Sequence, residues 1–314
     1  SSWYFLRGWC GSKEGAHFVL HRERTLKGGS AWVEGVHKTP LNLNRQADVT
    51  LKEINLHTPL RQSLCYEIKY GKSKLEVTAQ LSDDSAVLEF SVKCDWMETA
   101  SPDDVPVLSF AAPLAYHTAV YRSDIQIGLL DRHSEIMHDS CSRNFYFAPN
   151  TGSMPGLLLL TDSKYGYRGF EDTLQVTLLR SSSNPDPYPE LGVSHFRFGL
   201  SCEQDDAFAL KAAGDLFVNR DLPYASNTAH TGSLPLTDRF IRLHGDALVT
   251  AVKVSEKKDG IVVRLASSVS LSLDGLRIAH AVDLAEQPLY SYDVKEETVT
   301  FTLKAGQTIS LLLR

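Results

Sequence analysis

The sequence contains no apolar run that approaches the roughly 18 residues a membrane-spanning helix needs, and its clearest run, Leu157–Leu160, is far shorter. It also lacks any stripe of Lys or Arg, and its formal net charge is -6. Nucleic acids and anionic membranes are polyanions that attract basic patches. We therefore expect neither a membrane nor a nucleic acid as a partner.

Cysteine is scarce and irregularly placed. The five cysteines are Cys10, Cys65, Cys94, Cys141 and Cys202, and no two of them have CxxC spacing. Because the cysteines are odd in number and widely spaced, we expect neither a disulfide framework nor a structural zinc site. Free thiols indicate a reducing compartment, so we predict a cytoplasmic location.

The chain also lacks an initiator Met and opens at Ser1-Ser2-Trp3, which favours a piece excised from a longer protein. Its 314 residues suffice for one large or two ordinary domains. Hydrophobic residues make up 43% and charged residues 22%, so the chain can bury a sizeable core.

Alternating hydrophobicity predicts β-strands along most of the chain. Leu75, Val77 and Ala79 alternate with polar residues, and Phe196, Phe198 and Leu200 do the same. Successive side chains of a strand point to opposite faces, so each pattern gives one core face and one solvent face. Segments 88–92 and 173–178 follow the same rule.

Leu157–Leu160 is apolar throughout and is bounded by Gly156 and Asp162, which predicts a strand buried on both faces in the middle of a thick sandwich. One stretch, Asp205–Phe217, predicts a helix capped by Asp205 or Asp206. Its apolar face would hold Phe208, Ala212 and Leu216.

Residues 219–235 are rich in Asn, Ser, Thr, Gly and Pro and predict a linker. Shorter strands follow, with a hairpin signal at Lys257–Gly260 in which glycine can take a positive φ. We predict an all-β protein of two units: a large antiparallel sandwich over residues 1–235 and a small C-terminal β-sandwich over residues 236–314.

Five ordered blocks resemble glycoside hydrolase family 38 α-mannosidases. Leu160–Tyr167 reads LTDSKYGY and resembles the family signature LNDSKYGY. Leu178–Ser181 with Asn184–Pro187 is similar to its LLRSP…PD segment, and Gly192–Phe198 to its G-x-H-x-F-x-Y strand. Two further blocks, at 88–98 and 249–265, agree in order, and the resemblance runs from Trp32 to Arg314.

The resemblance implies a galactose-mutarotase-like supersandwich followed by a terminal β-domain. Family members are retaining α-mannosidases, whose two acids and zinc lie on an N-terminal domain that would precede residue 1. We therefore predict no catalytic residue, metal ligand or cofactor on this chain, and no activity of the chain alone. Its expected partners are the N-terminal catalytic domain of the same protein and a mannose-containing glycan, and a homo-oligomer is left open.

The resemblance further implies that loops of the large sandwich help to wall the sugar pocket. Carboxylates there would accept hydrogen bonds from sugar hydroxyls, and cationic or aromatic side chains would position the sugar. The predicted substrate-binding residues are Asp162, Lys164, Tyr165, Arg180, Asp186, Glu190 and His195.

Most of these residues also have a purely structural interpretation. Asp162 and Lys164 can pair at a strand end, and Tyr165 can be a core aromatic with a satisfied hydroxyl. Arg180 can hold a loop backbone or a carboxylate, and Asp186 lies in a sequence typical of turns. His195 can simply face solvent on its strand.

Two other functions stay open. A stand-alone carbohydrate-binding module could stack Trp3, Trp9, Trp32 or Trp96 on sugars. A mutarotase-like or lyase-type sandwich would need a histidine and a carboxylate on one concave face, for which His117 and His195 are the strand-borne candidates. His133 and His138 have the wrong spacing for a metal site and predict a polar loop.

Overall fold

The computed structural model describes residues 15–25, 29–56, 58–101, 103–134, 138–188, 190–219, 231–233, 239–246, 248–304 and 307–314. The chain divides into two compact units, Ser1–Arg220 and Asp221–Arg314. The predicted boundary after residue 235 falls within 234–238, outside the described residues, and stays a prediction.

The first unit consists almost entirely of antiparallel strands. Its strands are β1 His17–Arg24, β2 Val36–His37, β3 Leu41–Asn42, β4 Asp48–Asn55, β5 Arg61–Tyr70, β6 Ser73–Ser82, β7 Leu88–Trp96, β8 Val105–Pro113, β9 Val120–Ile125, β10 Gly128–His133, β11 Ser140–Cys141, β12 Phe145–Ala148, β13 Gly156–Thr161, β14 Gly166–Phe170, β15 Thr173–Arg180 and β16 Gly192–Glu203. Its helices are α1 Leu43–Gln46 and α2 Ala207–Asn219.

Within the described residues these strands form two sheets. The seven-stranded sheet has the order β11-β14-β15-β8-β1-β2, with β3 also paired to β1. The nine-stranded sheet has the order β10-β9-β12-β13-β16-β7-β6-β5-β4. One continuous apolar core contains residues of both sheets. The predicted large antiparallel sandwich is confirmed.

Aromatic rings from both sheets meet at the centre of this core. Phe18 and Phe110 of the seven-stranded sheet lie 5.4 Å apart, and Phe90 and Phe198 of the other sheet stack at 5.2 Å. Phe110 joins the two pairs, because its ring lies 4.5 Å from that of Phe198. The alternation on β7 and β16 therefore assigned the inward faces correctly.

Strand β13 is buried on both faces, as predicted, but a helix supplies the second cover. Leu159 lies in the core between the sheets. Leu158 and Leu160 pack with Leu210 and Phe217 of α2 on the other face. The predicted thick sandwich is therefore wrong here: the layer beyond β13 is α2, and no further sheet covers it among the described residues.

Helix α2 begins where predicted but buries a different face. The Asp206 side chain accepts a hydrogen bond from the backbone N–H of Ala209 at 2.8 Å and so caps the helix. Phe208 and Leu216 are 37% and 70% exposed, so the predicted apolar face is wrong. The buried face includes Lys211, which a hydrophobic pattern counts as polar.

The nine-stranded sheet extends beyond its cover at the edge strand β4. Val49, Leu51 and Ile54 lie opposite inward-facing residues of β5, yet they are 40%, 55% and 48% exposed. Directly opposite residues of an antiparallel pair share a face. These three residues, the β4 strip, are therefore an uncovered continuation of the core-facing surface.

The second unit is a smaller sandwich. Its strands are β17 Ile241–His244, β18 Val249–Val254, β19 Ile261–Leu265, β20 Ser270–Leu273, β21 Ala279–Val282, β22 Pro288–Tyr292, β23 Val294–Lys295, β24 Thr298–Thr300 and β25 Ile309–Leu313. In the described part, the sheets are ordered β17-β20-β24-β23 and β18-β19-β25-β21-β22. Both sheets contribute to one core.

The predicted hairpin between β18 and β19 forms, with the roles of its residues exchanged. Lys258, and not Gly260, has the positive φ, at 58°. Gly260 is needed for close approach, because a Cβ atom there would lie 2.4 Å from the carbonyl oxygen of Leu313. The glycine in this turn therefore serves packing against β25.

Candidate functional site

Lys164 and Glu190 come together where the β13–β14 loop meets the residues before β16. The ammonium of Lys164 lies 4.7 Å from the centre of the Phe196 ring. Burial lowers the pKa of Lys164, and the nearby Glu190 carboxylate opposes that shift. Burial likewise raises the pKa of Glu190, and Lys164 acts against it. The two half-buried groups stabilise one another's charged forms and can hydrogen-bond a hydroxyl-rich ligand.

Tyr165 lies next to Lys164 in the chain and is 60% exposed, so it is not a core aromatic. Tyr167 is the buried tyrosine of this segment, and its hydroxyl lies 2.6 Å from Thr161 Oγ1. The Tyr165 carbonyl accepts the Ser142 N–H at 3.0 Å. This bond anchors the loop backbone and leaves the phenol ring available to a ligand.

Asp162 and His195 lie together on the outer face of the nine-stranded sheet. Asp162 Oδ2 accepts a hydrogen bond from Arg197 Nε at 2.9 Å, so its ion-pair partner is Arg197 and not Lys164. His195 is exposed, and both residues line a groove of about 730 Å³. Lys93 lies directly opposite His195 on the neighbouring strand. This face offers polar groups but no exposed aromatic ring among its described lining residues.

Arg180 is engaged by a buried carboxylate of β1. Its Nε and Nη2 donate to the two oxygens of Glu23 at 2.7 and 2.6 Å, and Glu23 is 0% exposed. Nη2 also donates to the Val33 carbonyl at 2.9 Å. The geometry therefore matches the structural interpretation of Arg180, in which the guanidinium holds a carboxylate and a loop.

Asp186 lies in an exposed turn, where its Oδ1 accepts the backbone N–H of Tyr188 at 2.9 Å. Aspartate side chains commonly accept the backbone N–H two residues further on in a turn, so the turn explains the position of this carboxylate. Of the seven predicted residues, Lys164 and Glu190 are thus close enough to interact electrostatically, and Tyr165 follows Lys164 in the chain with an exposed ring. Asp162 and His195 line one groove. Arg180 and Asp186 have structural partners. Contact of any of them with sugar stays a prediction.

The residues behind the other two functions are also placed. Trp96 is fully buried and donates its indole N–H to Ser181 Oγ at 2.7 Å, so it is unavailable for stacking on a sugar. Trp32 is 75% exposed, and Trp3 and Trp9 lie outside the described residues. His117 lies in a loop before β9, contrary to the strand placement predicted for it, and its Nδ1 is 2.9 Å from Asp172 Oδ1.

The described residues contain no group of three or more His, Cys, Asp or Glu side chains arranged to hold a metal ion. Four of the five cysteines lie in the described part, and all four are free. Burial raises the pKa of the Cys94 thiol to about 12, which makes it unreactive near neutral pH. Cys10 lies outside the described residues.

No helix in the described part has the length and apolarity that spanning a membrane requires.

Sequence reasoning missed a layer of buried polar groups on the outer face of the seven-stranded sheet. Arg168 is 2% exposed; it donates to Glu34 Oε1 at 2.5 Å and to Asp139 Oδ1 at 2.8 Å. Its Nη1 lies 2.8 Å from His37 Nδ1. Burial, reinforced by the Arg168 charge, lowers the pKa of His37 to about 3. This imidazole is therefore neutral at neutral pH.

His21 and Gln175 belong to the same polar layer. His21 Nε2 lies 3.2 Å from Gln175 Oε1, and the His21 and His37 rings are 4.7 Å apart. A signal for this layer was present in segment 17–23, where His17, His21 and Glu23 alternate with the inward-facing positions. No strand was predicted for this segment, so its alternation gave no prediction.

The family model for the glycosyl hydrolases family 38 C-terminal domain matches residues 10–188, more than half of the chain. The chain belongs to this family. The matched span covers every strand of the first unit except β16, and it includes the loop that carries Lys164. Family membership means that this region is part of a family 38 glycoside hydrolase.

Solved structures agree with this family 38 assignment at the level of the fold. An alpha-mannosidase from Enterococcus faecalis V583 is 14% identical with a TM-score of 0.73. A glycosyl hydrolase family 38 protein from Enterococcus faecalis is 15% identical with a TM-score of 0.68. Each alignment covers 95% of this chain but only 38% and 40% of the other chain, respectively. No curated protein matches the sequence.

Proposed function

We propose that this chain is the C-terminal β-region of a retaining family 38 α-mannosidase, which supports and partly walls a sugar site completed by an N-terminal catalytic domain. The observation that carries the proposal is the family match together with its coverage, since the chain spans about two fifths of the family 38 chains it aligns with. The catalytic acids and the zinc ion belong to that N-terminal domain. The cytoplasmic location stays a prediction.

The β4 strip supports a docking role. Val49, Leu51 and Ile54 present a contiguous apolar surface at the edge of the larger sheet. Exposed apolar patches of this kind mark interaction sites. The occupant we propose is the N-terminal part of the parent chain, because the aligned relatives carry about three fifths of their length outside the region this chain matches.

Reconstitution tests this role. The chain alone is expected to release no mannose from an aryl α-mannoside, whereas mixing it with the N-terminal part of the parent should restore activity. Leu51→Asp places a charge in the apolar contact and should weaken association at least tenfold, the equivalent of about 1.4 kcal/mol. Titration calorimetry between the two parts measures the affinity.

Thr50→Asp is the matched control, because Thr50 is exposed on the opposite face of the same strand. It should leave association unchanged. Equal losses in both variants would mean that β4 does not dock through its apolar face. Mannose release by the chain alone would remove the scaffold role itself.

The proposed sugar wall consists of Lys164, Tyr165 and Glu190. Lys164→Met in the parent enzyme removes a half-buried donor and is expected to raise KM for an aryl α-mannoside about tenfold or more, at unchanged stability. Lys72→Met, at an exposed turn, is the control and should leave KM unchanged. An unaltered KM in the Lys164 variant would exclude this loop from the sugar site.

A stand-alone carbohydrate-binding module is the second candidate. The exposed ring of Trp32 is the observation that favours it. Submillimolar binding of a short α-mannoside by the isolated chain, lost in Trp32→Ala, would support the module over the scaffold. The absence of such binding would remove it.

A further inference from the structure

A second groove lies on the outer face of the seven-stranded sheet. None of the seven residues predicted to bind substrate lines it. It has a volume of about 530 Å³, which is within the range of small-molecule sites. Val19 of β1 and Ala111 of β8 contribute apolar lining, and Phe170, at the end of β14, adds an aromatic ring. His21 and Gln175 line the same groove.

His21 and Gln175 are 4% and 2% exposed, yet each carries a nitrogen with no hydrogen-bond partner among the described residues: Nδ1 of His21 and Nε2 of Gln175. A buried polar atom without a partner costs roughly 1–3 kcal/mol. Two such atoms, on side chains that line one groove, lower the free energy of unfolding. They point to a ligand that supplies the missing partners.

The protonation of this pair defines what the ligand must offer. Burial lowers the pKa of His21, so the ring is neutral near pH 7. The His21 Nε2–H donates to the Gln175 carbonyl, and Nδ1 therefore carries a lone pair that accepts. The amide nitrogen of Gln175 donates. The pair thus needs one donor and one acceptor, which a hydroxyl group provides at once.

Charge and shape narrow the class further. Arg45 and Glu171 both line the groove, and their charges have opposite sign. The groove therefore favours a ligand without net charge. The apolar surfaces of Val19, Ala111 and Phe170 suit the C–H face of a sugar ring. We propose that this groove binds a neutral hexose or hexoside, with ring hydroxyls on His21 Nδ1 and Gln175 Nε2 and the C–H face against Phe170.

The site does not depend on the proposed α-mannosidase role and is tested on the 314-residue chain alone. Methyl α-mannoside, methyl α-glucoside and, as a charged comparison, mannose 6-phosphate are titrated by ligand-observed NMR. We expect millimolar binding of a neutral hexoside and weaker binding of the phosphate. Gln175→Met removes the amide donor at similar volume, and Thr173→Trp fills the groove from its rim. Each should weaken binding at least tenfold.

Gln204→Met, at an exposed position outside the groove, is the matched control and should bind like the unmodified chain. Circular dichroism establishes that each variant is folded. The proposal is overturned if no neutral hexoside binds at a ligand concentration of about 10 mM, or if Thr173→Trp binds undiminished. If the chain binds a neutral hexoside but mixing it with the N-terminal part of the parent restores no activity, the result counts against the scaffold role and not against this groove.

Discussion

Lys211→Met is expected to lower the free energy of unfolding of the first unit by about 3–5 kcal/mol. Lys211 is 3% exposed, and its ammonium donates to Asp124 Oδ1 at 2.5 Å. Asp124 is 2% exposed. Removing the ammonium leaves a buried carboxylate without its closest counter-charge, and a buried charge that loses its partner is strongly destabilising.

Fluorescence-detected denaturation measures this loss selectively. Trp96 is fully buried in the core of the first unit, and the sequence has no tryptophan after it, so the change in emission reports on the unfolding of that unit. The control Lys72→Met, at an exposed turn, should stay within about 0.5 kcal/mol of the unmodified chain. The double variant Lys211→Met/Asp124→Asn should recover part of the loss, because it removes the orphaned charge. A single variant as stable as the parent would refute the pairing.

Arg180→Met is expected to destabilise the first unit by a similar amount, about 3–5 kcal/mol, because Glu23 is fully buried and relies on a two-pronged contact with this guanidinium. Arg180→Lys restores the charge without the fork and should recover only part of the stability. Denaturant unfolding followed by tryptophan fluorescence again gives the values.

Arg24→Met is the matched control, since Arg24 is exposed at the end of β1, next to Glu23. Its effect should stay within about 0.5 kcal/mol. The same variants distinguish the two interpretations of Arg180. If Arg180→Met unfolds like the unmodified chain but raises KM in the parent enzyme, the arginine serves the sugar and not Glu23.

The family blocks and the strand patterns both predicted the fold because each is visible within a short stretch of neighbouring residues. Core-facing residues such as Val77, Phe90 and Phe198 recur at every second position, and each was recognisable without knowing its partner. The helix α2 was predicted from a local cap but assigned the wrong buried face. Its buried face includes Lys211, whose partner Asp124 lies 87 residues earlier in the chain.

The candidate site was predicted less completely than the fold. The block around Lys164 was found, and the structure brings it to Glu190. The His21–Gln175 pair was missed because 154 residues separate its members and neither belongs to a family block. Arg180 was found, but its partner Glu23, 157 residues away, was not.

By itself the sequence determined the all-β class, the two-unit order and membership of family 38, because side-chain alternation and block order are properties of neighbouring residues. Tertiary structure alone decided which buried charges are paired, which face of α2 is covered, where apolar surface stays exposed at β4, and that a polar groove exists beside Gln175. Each of those depends on contacts between strands far apart in the chain, and a one-dimensional pattern carries no record of such contacts.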